Sequence, residues 1–142
     1  MKRKKRVLIL CTGNSARSQM AEGLLRELGA DKFTVESAGV APGEVRREAV
    51  EAMREIGIDI SKHRSKSVAE FAGQNFDYII TVCDNAKETC PVFPAAATRI
   101  HRSFTDPPPE TVGDYQSRLK VFRAVRDQLH KWLIDFIQKQ NE

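Results

Sequence analysis

Long apolar runs are missing from this chain. The run that follows the basic start, Val7–Leu10, has only four residues, whereas a secretory signal needs an apolar core of about 7–15 residues. A membrane-spanning helix needs about 20 such residues, and no other window approaches that length. We therefore expect a cytoplasmic protein with no signal peptide and no membrane segment.

Cysteine is scarce, with three residues in 142. Three cysteines are too few for a disulfide scaffold, and cytoplasmic thiols stay reduced, so we expect them to serve chemistry rather than structural bridges. Any one of them also has a simpler interpretation as a small buried apolar side chain. Three histidines lack metal-ligand spacing with the cysteines, so we expect no metal and no cofactor: His63, His101 and His130.

Acidic residues are missing from the first six positions, and this absence accounts for the basic net charge. The formal charge is +4, but five of the 23 basic residues lie at positions 2–6, which leaves the rest of the chain at about −1. We expect residues 1–6 to form a solvated basic tail. A basic face for nucleic acid is not predicted.

The segment Val7–Gln19 carries the strongest functional signal. Four apolar residues predict a buried strand, Gly13 and Asn14 break it, and an amphipathic helix is predicted from Arg17 onward. Loop amides and free helix N–H groups then converge on one point, which favours an anion. The guanidinium of Arg17 adds a planar fork of donors suited to a tetrahedral oxyanion.

Cys11 lies at the end of that strand, beside the predicted anion site. A thiol near a helix N-terminus and a cation is stabilised as the thiolate, and Ser18 is placed to donate a hydrogen bond to it. The segment thus offers a nucleophile together with an oxyanion cradle. The predicted cradle comprises Thr12, Gly13, Asn14, Ser15, Ala16, Arg17 and Ser18.

Strands and helices alternate along the rest of the chain. Strands are predicted at 33–36, 76–82 and 99–104, and helices at 44–56, 67–72, 84–89 and 114–138. This alternation predicts an α/β fold: one domain over residues 1–142, with three α/β/α layers around a four-stranded parallel sheet and the strand at 99–104 at its edge. Trp132 and the two phenylalanines of the last helix are expected in the core.

Three reactive residues follow predicted strands. Ligands of parallel sheets bind beyond the carboxyl ends of the strands, and Cys11, Cys83 and Asp106 all lie just beyond such ends. We therefore expect them on one rim. Asp106 has a simpler interpretation as the opening of an Asp-Pro turn, and Cys83 as a buried thiol.

Nearly the whole chain resembles the low-molecular-weight tyrosine phosphatase family, and within it the thioredoxin-coupled arsenate reductases. The resemblance rests on the segment Cys11–Gln19, on Ser37-Ala38-Gly39, on Cys83 and Cys90, and on Asp106-Pro107. Phosphatases usually have a second cysteine at Ala16, proline at Gln19, and aromatic residues at Pro108 and Pro109. Gln19 and the cysteine pair therefore favour the reductase branch.

The resemblance implies a three-cysteine relay. Cys11 would attack arsenate, and Asp106 would protonate the departing oxygen. Cys83 would then attack Cys11 and release arsenite, and Cys90 would attack Cys83, leaving a disulfide for thioredoxin to reduce. Reduction of arsenate consumes two electrons that thiols can supply by ending as a disulfide. The partners implied are arsenate, with phosphate and sulfate as competing oxyanions, and thioredoxin; we expect a monomer.

Some family members bind potassium near the loop through Asn14, Glu22, Ser37 and an acid at the position of Lys66. Lysine removes that acid, so we expect a weak or absent cation site. Asn14 is expected to hold the shape of the loop.

Two other functions fit the same residues. A phosphatase would use Cys11, Arg17 and Asp106 alone and would hydrolyse aryl phosphates without Cys83 or Cys90. A non-enzymatic oxyanion or redox sensor would bind tightly through the loop and turn over neither substrate.

Overall fold

The computed structural model describes residues 3–84, 93 and 96–140. The described strands are β1 (Lys5–Cys11), β2 (Phe33–Gly39), β3 (Tyr78–Thr81) and β4 (Thr98–His101), and the helices are α1 (Arg17–Leu28), α2 (Arg47–Arg54) and α3 (Tyr115–Lys139). A short 3-10 helix covers Val68–Phe71. Residues 85–89 of the helix predicted at 84–89, and Cys90, lie outside the described residues.

The four strands form one parallel sheet in the order β2-β1-β3-β4. The apolar residues Val7, Leu8, Ile9 and Leu10 of β1 have no exposed surface. Because successive strand residues point to opposite faces, complete burial means that both faces of β1 are covered. The predicted α/β fold with a four-stranded parallel sheet, and β4 at its edge, is confirmed.

The core joins the sheet to α1, α2 and α3. Leu24 and Leu25 of α1, Met53 of α2, and Phe122 and Leu129 of α3 are fully buried. Full burial of one such side chain contributes about 1.5–3 kcal/mol. At the far end of α3, Trp132 stacks on the buried Phe136 with ring centroids 6.0 Å apart. Both phenylalanines of α3 lie in the core as expected, whereas Trp132 is partly buried and packs against the edge of the core.

Several predicted boundaries were wrong. The helix predicted from residue 44 begins only at Arg47, because the backbone of residues 41–46 pairs with the loop after β1: Ala41 N donates to Thr12 O and Arg46 N donates to Ser15 O. The same helix was predicted to run to residue 56 but ends at Arg54, and Ile56 beyond it is 42% exposed.

The predicted tail at 1–6 was too long at its carboxyl end, since β1 begins at Lys5. Arg3 pairs with Asp77 at 3.1 Å, and the Arg6 guanidinium lies 4.4 Å from the centre of the Phe76 ring. These residues therefore tie the first strand to the segment that leads into β3.

No helix within the described part of the chain has the length and apolar character of a membrane span.

Candidate active site

A cavity of about 250 Å³ opens at the carboxyl end of β1. Cys11 ends the strand, Arg17 begins α1, and the five residues between them form the loop. The residues that line the cavity come from this segment and from one distant position: Cys11, Thr12, Gly13, Ser15, Ala16, Arg17 and Asp106. The cavity lies where parallel sheets bind their ligands.

The amino terminus of α1 faces this loop. Among the described residues, no side chain caps the helix at Ala16. The first backbone N–H groups of a helix have no partner within it, and the helix dipole places positive partial charge there. This end of α1 is therefore suited to a bound anion.

Asn14 holds the loop in a constrained shape. Its φ angle of +49° is uncommon for a residue other than glycine, and its side chain is fully buried. The amide Nδ2 donates to Ser18 Oγ at 2.8 Å and Ser37 Oγ at 2.9 Å, and Oδ1 accepts from Gln19 Nε2 at 3.0 Å and Lys66 N at 2.8 Å. Four hydrogen bonds make the side chain of Asn14 a fixed point beneath the cavity.

The Cys11 sulfur lies 2.8 Å from Ser18 Oγ. Since Asn14 Nδ2 already donates to that oxygen, the Ser18 hydroxyl hydrogen is free to point at the sulfur. Once Cys11 is a thiolate it can only accept, so Ser18 donates to it in that state. Cys11 is a free cysteine with 2% exposure, so its reactive face is the one that lines the cavity.

Arg17 connects the loop to the segment after β4. One guanidinium nitrogen donates to Phe104 O at 3.2 Å, and the other lies 3.2 Å from Asp106 Oδ1. The Arg17 side chain is 10% exposed, whereas that of Asp106 is 79% exposed. Asp106 thus sits at the mouth of the cavity, within reach of both solvent and a bound oxyanion.

Cys83 lies close to the same loop. It follows β3 by two residues and is buried. Its sulfur is 3.3 Å from the hydroxyl of Thr12, the residue next to Cys11. The structure therefore brings Cys11, Arg17, Cys83 and Asp106 to one rim. Cys90, the remaining predicted relay residue, lies outside the described residues.

Gly39 allows the loop to approach β2. A Cβ atom at this position would lie 2.6 Å from Thr12 O and 2.8 Å from Asn14 N, and real Cβ atoms do not come so close to backbone atoms. Glycine is therefore required here for steric room. This contact gives the motif Ser37-Ala38-Gly39 its physical reason, because Ser37 at its other end binds Asn14.

A buried ion-pair network lies behind the loop. Glu22 is 2% exposed, accepts from Ser37 Oγ at 2.6 Å, and lies 3.4 Å from Lys66 Nζ. Lys66 Nζ also lies 3.2 Å from Glu36 Oε2. The ammonium group of Lys66 thus lies beside Glu22. Some family members that bind potassium have an acid at the position of Lys66. Among the described residues, no group of three or more His, Cys, Asp and Glu side chains is arranged to hold a metal ion.

Sequence analysis did not identify two further residues whose side chains contact the residues that support the loop. Ser65 Oγ donates to Asn14 O at 2.6 Å, and His63 Nδ1 lies 3.0 Å from Gln19 Oε1. Burial lowers the pKa of His63, although the nearby Glu22 carboxylate opposes that shift. These residues lie between two elements and follow no helical or strand period, so no pattern in the sequence marks them.

The predicted cradle residues divide into two groups. Five line the cavity, namely Thr12, Gly13, Ser15, Ala16 and Arg17. The other two, Asn14 and Ser18, lie beneath it and are fully buried. Direct contact with a bound oxyanion is thus open to the first group, whereas Asn14 and Ser18 act on the shape and charge of the site from below.

The fold and this loop define a class of protein. The family described as low molecular weight phosphotyrosine protein phosphatase matches residues 6–142, and the chain belongs to that family. An arsenate reductase from Halalkalibacterium halodurans is 41% identical over 135 residues, which are 95% of this chain and 96% of the relative.

Two solved structures show the same fold. An arsenate reductase in a phosphate-binding state is 32% identical with a TM-score of 0.76, over 95% of this chain and 98% of that one. A low-molecular-weight protein tyrosine phosphatase from T. tengcongensis is 28% identical with a TM-score of 0.78, over 96% of this chain and 99% of that one. Relatives of both activities therefore share this architecture.

Proposed function

We propose that this protein reduces arsenate to arsenite and is regenerated by thioredoxin. The observation that carries the proposal is the presence of two buried cysteines at one loop, Cys11 in the cavity and Cys83 against Thr12. A phosphatase has no use for the second thiol. The name of the 41% identical relative supports the same activity.

In the first step, the Cys11 thiolate attacks the arsenic atom of arsenate. The loop amides and the Arg17 guanidinium hold the oxyanion, and the Ser18 hydroxyl stabilises the thiolate before attack. A sulfur–arsenic bond forms and an arsenic–oxygen bond breaks. Asp106 gives a proton to the departing oxygen, which leaves as water.

In the second step, the Cys83 thiolate attacks the sulfur of Cys11. A Cys11–Cys83 disulfide forms, and the electron pair of the sulfur–arsenic bond passes to arsenic, which leaves as arsenite. Two thiols are oxidised and one arsenic atom is reduced by two electrons, so the electrons balance. The 3.3 Å contact between Cys83 and Thr12 supports this step, because it holds the second sulfur beside the residue that follows Cys11.

In the third step, Cys90 attacks Cys83 and frees Cys11. The resulting Cys83–Cys90 disulfide is reduced by the dithiol of thioredoxin, which ends as a disulfide itself. We propose that the protein works in this cycle as a one-domain monomer in the cytoplasm, without a cofactor.

The deciding experiment measures arsenate-dependent NADPH consumption with thioredoxin and thioredoxin reductase. Wild-type protein should turn over many times, and Cys11→Ser should abolish turnover because it removes the nucleophile. Cys83→Ser and Cys90→Ser should each stop multiple turnovers. Arsenate reduction that persists in purified Cys11→Ser protein would remove Cys11 from the mechanism.

Phosphatase activity is the second candidate, because Cys11, Arg17 and Asp106 suffice for a phosphate monoester and line one cavity. The same variants separate the two activities. Hydrolysis of p-nitrophenyl phosphate should survive in Cys83→Ser and Cys90→Ser protein if the site retains it, and should vanish in Cys11→Ser protein. If the two activities fell equally in the Cys83 and Cys90 variants, those cysteines would be structural and the reductase proposal would fail.

A further inference from the structure

The loop that carries Asp106 is held at its start by Phe104, whose N–H donates to Val82 O at 3.1 Å and whose carbonyl accepts from Arg17. This loop, residues 102–114 between β4 and α3, forms neither helix nor strand in the structure, and the Asp106 side chain is 79% exposed. A general acid must nevertheless be held near the oxygen that it protonates, since a displacement of about 1 Å can cost roughly a hundredfold in rate. The contacts that hold this loop therefore bear on the proposed chemistry.

A buried carboxylate lies next to the loop. Glu48 of α2 has no exposed surface, and its Oε2 accepts from Arg46 Nη2 at 2.7 Å and from Arg118 Nε at 2.9 Å. Burial alone would raise the pKa of Glu48, but the two arginines outweigh it and lower the pKa below its ordinary value. Glu48 is thus held as a carboxylate between two guanidinium groups.

Both arginines also donate to backbone carbonyls of the Asp106 loop. Arg46 Nη2 donates to Pro108 O at 3.1 Å. Arg118 Nη1 donates to Gly113 O at 2.6 Å and to Val112 O at 3.3 Å. The Arg46 guanidinium therefore contacts the loop two residues beyond Asp106. The Arg118 guanidinium contacts it six and seven residues beyond Asp106.

The same group of residues touches the other half of the site. The backbone N–H of Arg46 donates to Ser15 O at 2.8 Å, and Ser15 lines the cavity. Arg46 thus joins the oxyanion loop through its main chain to the Asp106 loop through its side chain. Pro107, Pro108 and Pro109 have restricted backbones. A contact that fixes the position of Pro108 therefore also restricts the position of Asp106.

We propose that Glu48, Arg46 and Arg118 form a positioning cluster that sets the place of Asp106 over the oxyanion site. The inference rests on the proposed role of Asp106 as the acid. Arg46 and Arg118 act through the loop backbone, and Glu48 acts by holding both arginines in the orientation that reaches the carbonyls.

The test is a double-mutant cycle on the first chemical step. Arg46→Gln should slow single-turnover formation of the Cys11–arsenic bond about tenfold or more, while the dissociation constant for phosphate measured by calorimetry changes less than about twofold. Asp106→Asn should slow the same step. In the Asp106→Asn background, Arg46→Gln should have no further effect, because the residue through which it acts is already disabled.

Arg123→Gln is the matched control. Arg123 of α3 pairs, like Arg46, with a glutamate of the α2 region, at 2.6 Å from Glu55, but among the described residues its side-chain hydrogen bonds go to Glu55 and not to the Asp106 loop. It should leave the first step unchanged. If Arg46→Gln lowers the folded fraction, Arg46→Lys, which keeps a charge beside Glu48, replaces it in the same cycle.

A second readout does not depend on arsenate chemistry. The amide of Val112 donates to Pro109 O at 3.0 Å inside the loop, so its hydrogen exchange should accelerate in Arg46→Gln protein and stay unchanged in Arg123→Gln protein. Unchanged exchange at Val112, or slowing of the first step that persists in full in the Asp106→Asn background, would overturn the inference. A normal rate for Asp106→Asn alone would instead count against the acid role assigned to Asp106 above.

Discussion

Replacement of Lys66 by methionine tests the buried ion-pair network behind the loop. Methionine keeps most of the length of the side chain and removes only its charge and hydrogen bonds. Glu22 would then be left 2% exposed without the ammonium that lies 3.4 Å from its Oε1. Glu36 would lose the same partner at 3.2 Å, but it is more exposed and can be solvated.

The magnitude follows from the burial and the distances. At 3.4 Å and an effective dielectric constant of about 20, one such contact is worth about 5 kcal/mol before desolvation is counted. Removing one partner of a buried pair costs about 3–5 kcal/mol in measured cases. Arg26 Nε remains 3.4 Å from Glu22 Oε2, so we expect the lower end, about 3 kcal/mol, which for a chain of this size lowers Tm by about 10 °C.

Chemical denaturation and calorimetry at neutral pH measure this loss, with Lys62→Met as the control because Lys62 is exposed. The double variant Lys66→Met with Glu22→Gln should be more stable than Lys66→Met alone, because the uncompensated charge has gone while an acceptor for Ser37 remains. If Lys66→Met cost no more than Lys62→Met, the network would contribute nothing and the reasoning would be wrong.

Three further outcomes are expected. Arg17→Lys should lower kcat/KM for arsenate by about 10²–10³-fold, since an ammonium keeps the charge but loses the fork of donors; a loss below tenfold in the NADPH assay would contradict this. His63 has a lowered pKa in the folded protein, so the unfolded chain binds more protons below about pH 6.5; stability should fall as the pH drops through that range, and the slope should flatten in His63→Gln protein. Potassium should raise Tm no more than sodium at equal ionic strength, because Lys66 Nζ lies beside Glu22; a potassium-specific increase would refute this.

Elements with a strong period could be predicted from the sequence. The unbroken apolar run of β1 and the repeating apolar positions of α3 determine their burial through local spacing alone. Asp114 accepts from Ser117 N at 2.8 Å and caps α3 at the residue where the predicted helix begins. The start of α2 was missed because Ala41 and Arg46 pair with the loop after β1, and such pairing between distant segments leaves no local pattern.

The rim of the candidate site could also be predicted, for a topological reason. Once the strands were taken as parallel, their carboxyl ends had to share one edge, and this places Cys11, Cys83 and Asp106 together. The contact between Asn14 and Lys66 could not be predicted in this way, because the main-chain N–H of Lys66 donates to the side-chain Oδ1 of Asn14 across 52 positions. Residue types and spacing do not specify such a contact.

The cluster around Glu48 was missed, yet the helical period contains a signal for it. Glu48 precedes Ala52 by four residues, and Arg118 precedes Phe122 by four, so each charge lies on the buried side of its helix. Both Ala52 and Phe122 are fully buried. A charge on the apolar side of a helix destabilises the folded protein unless it is paired. Two opposite charges on the apolar sides of two helices are therefore expected to pair with each other. The 2.9 Å contact between Arg118 and Glu48 is that pair, so charged residues that break an apolar stripe can be used to predict which helices meet.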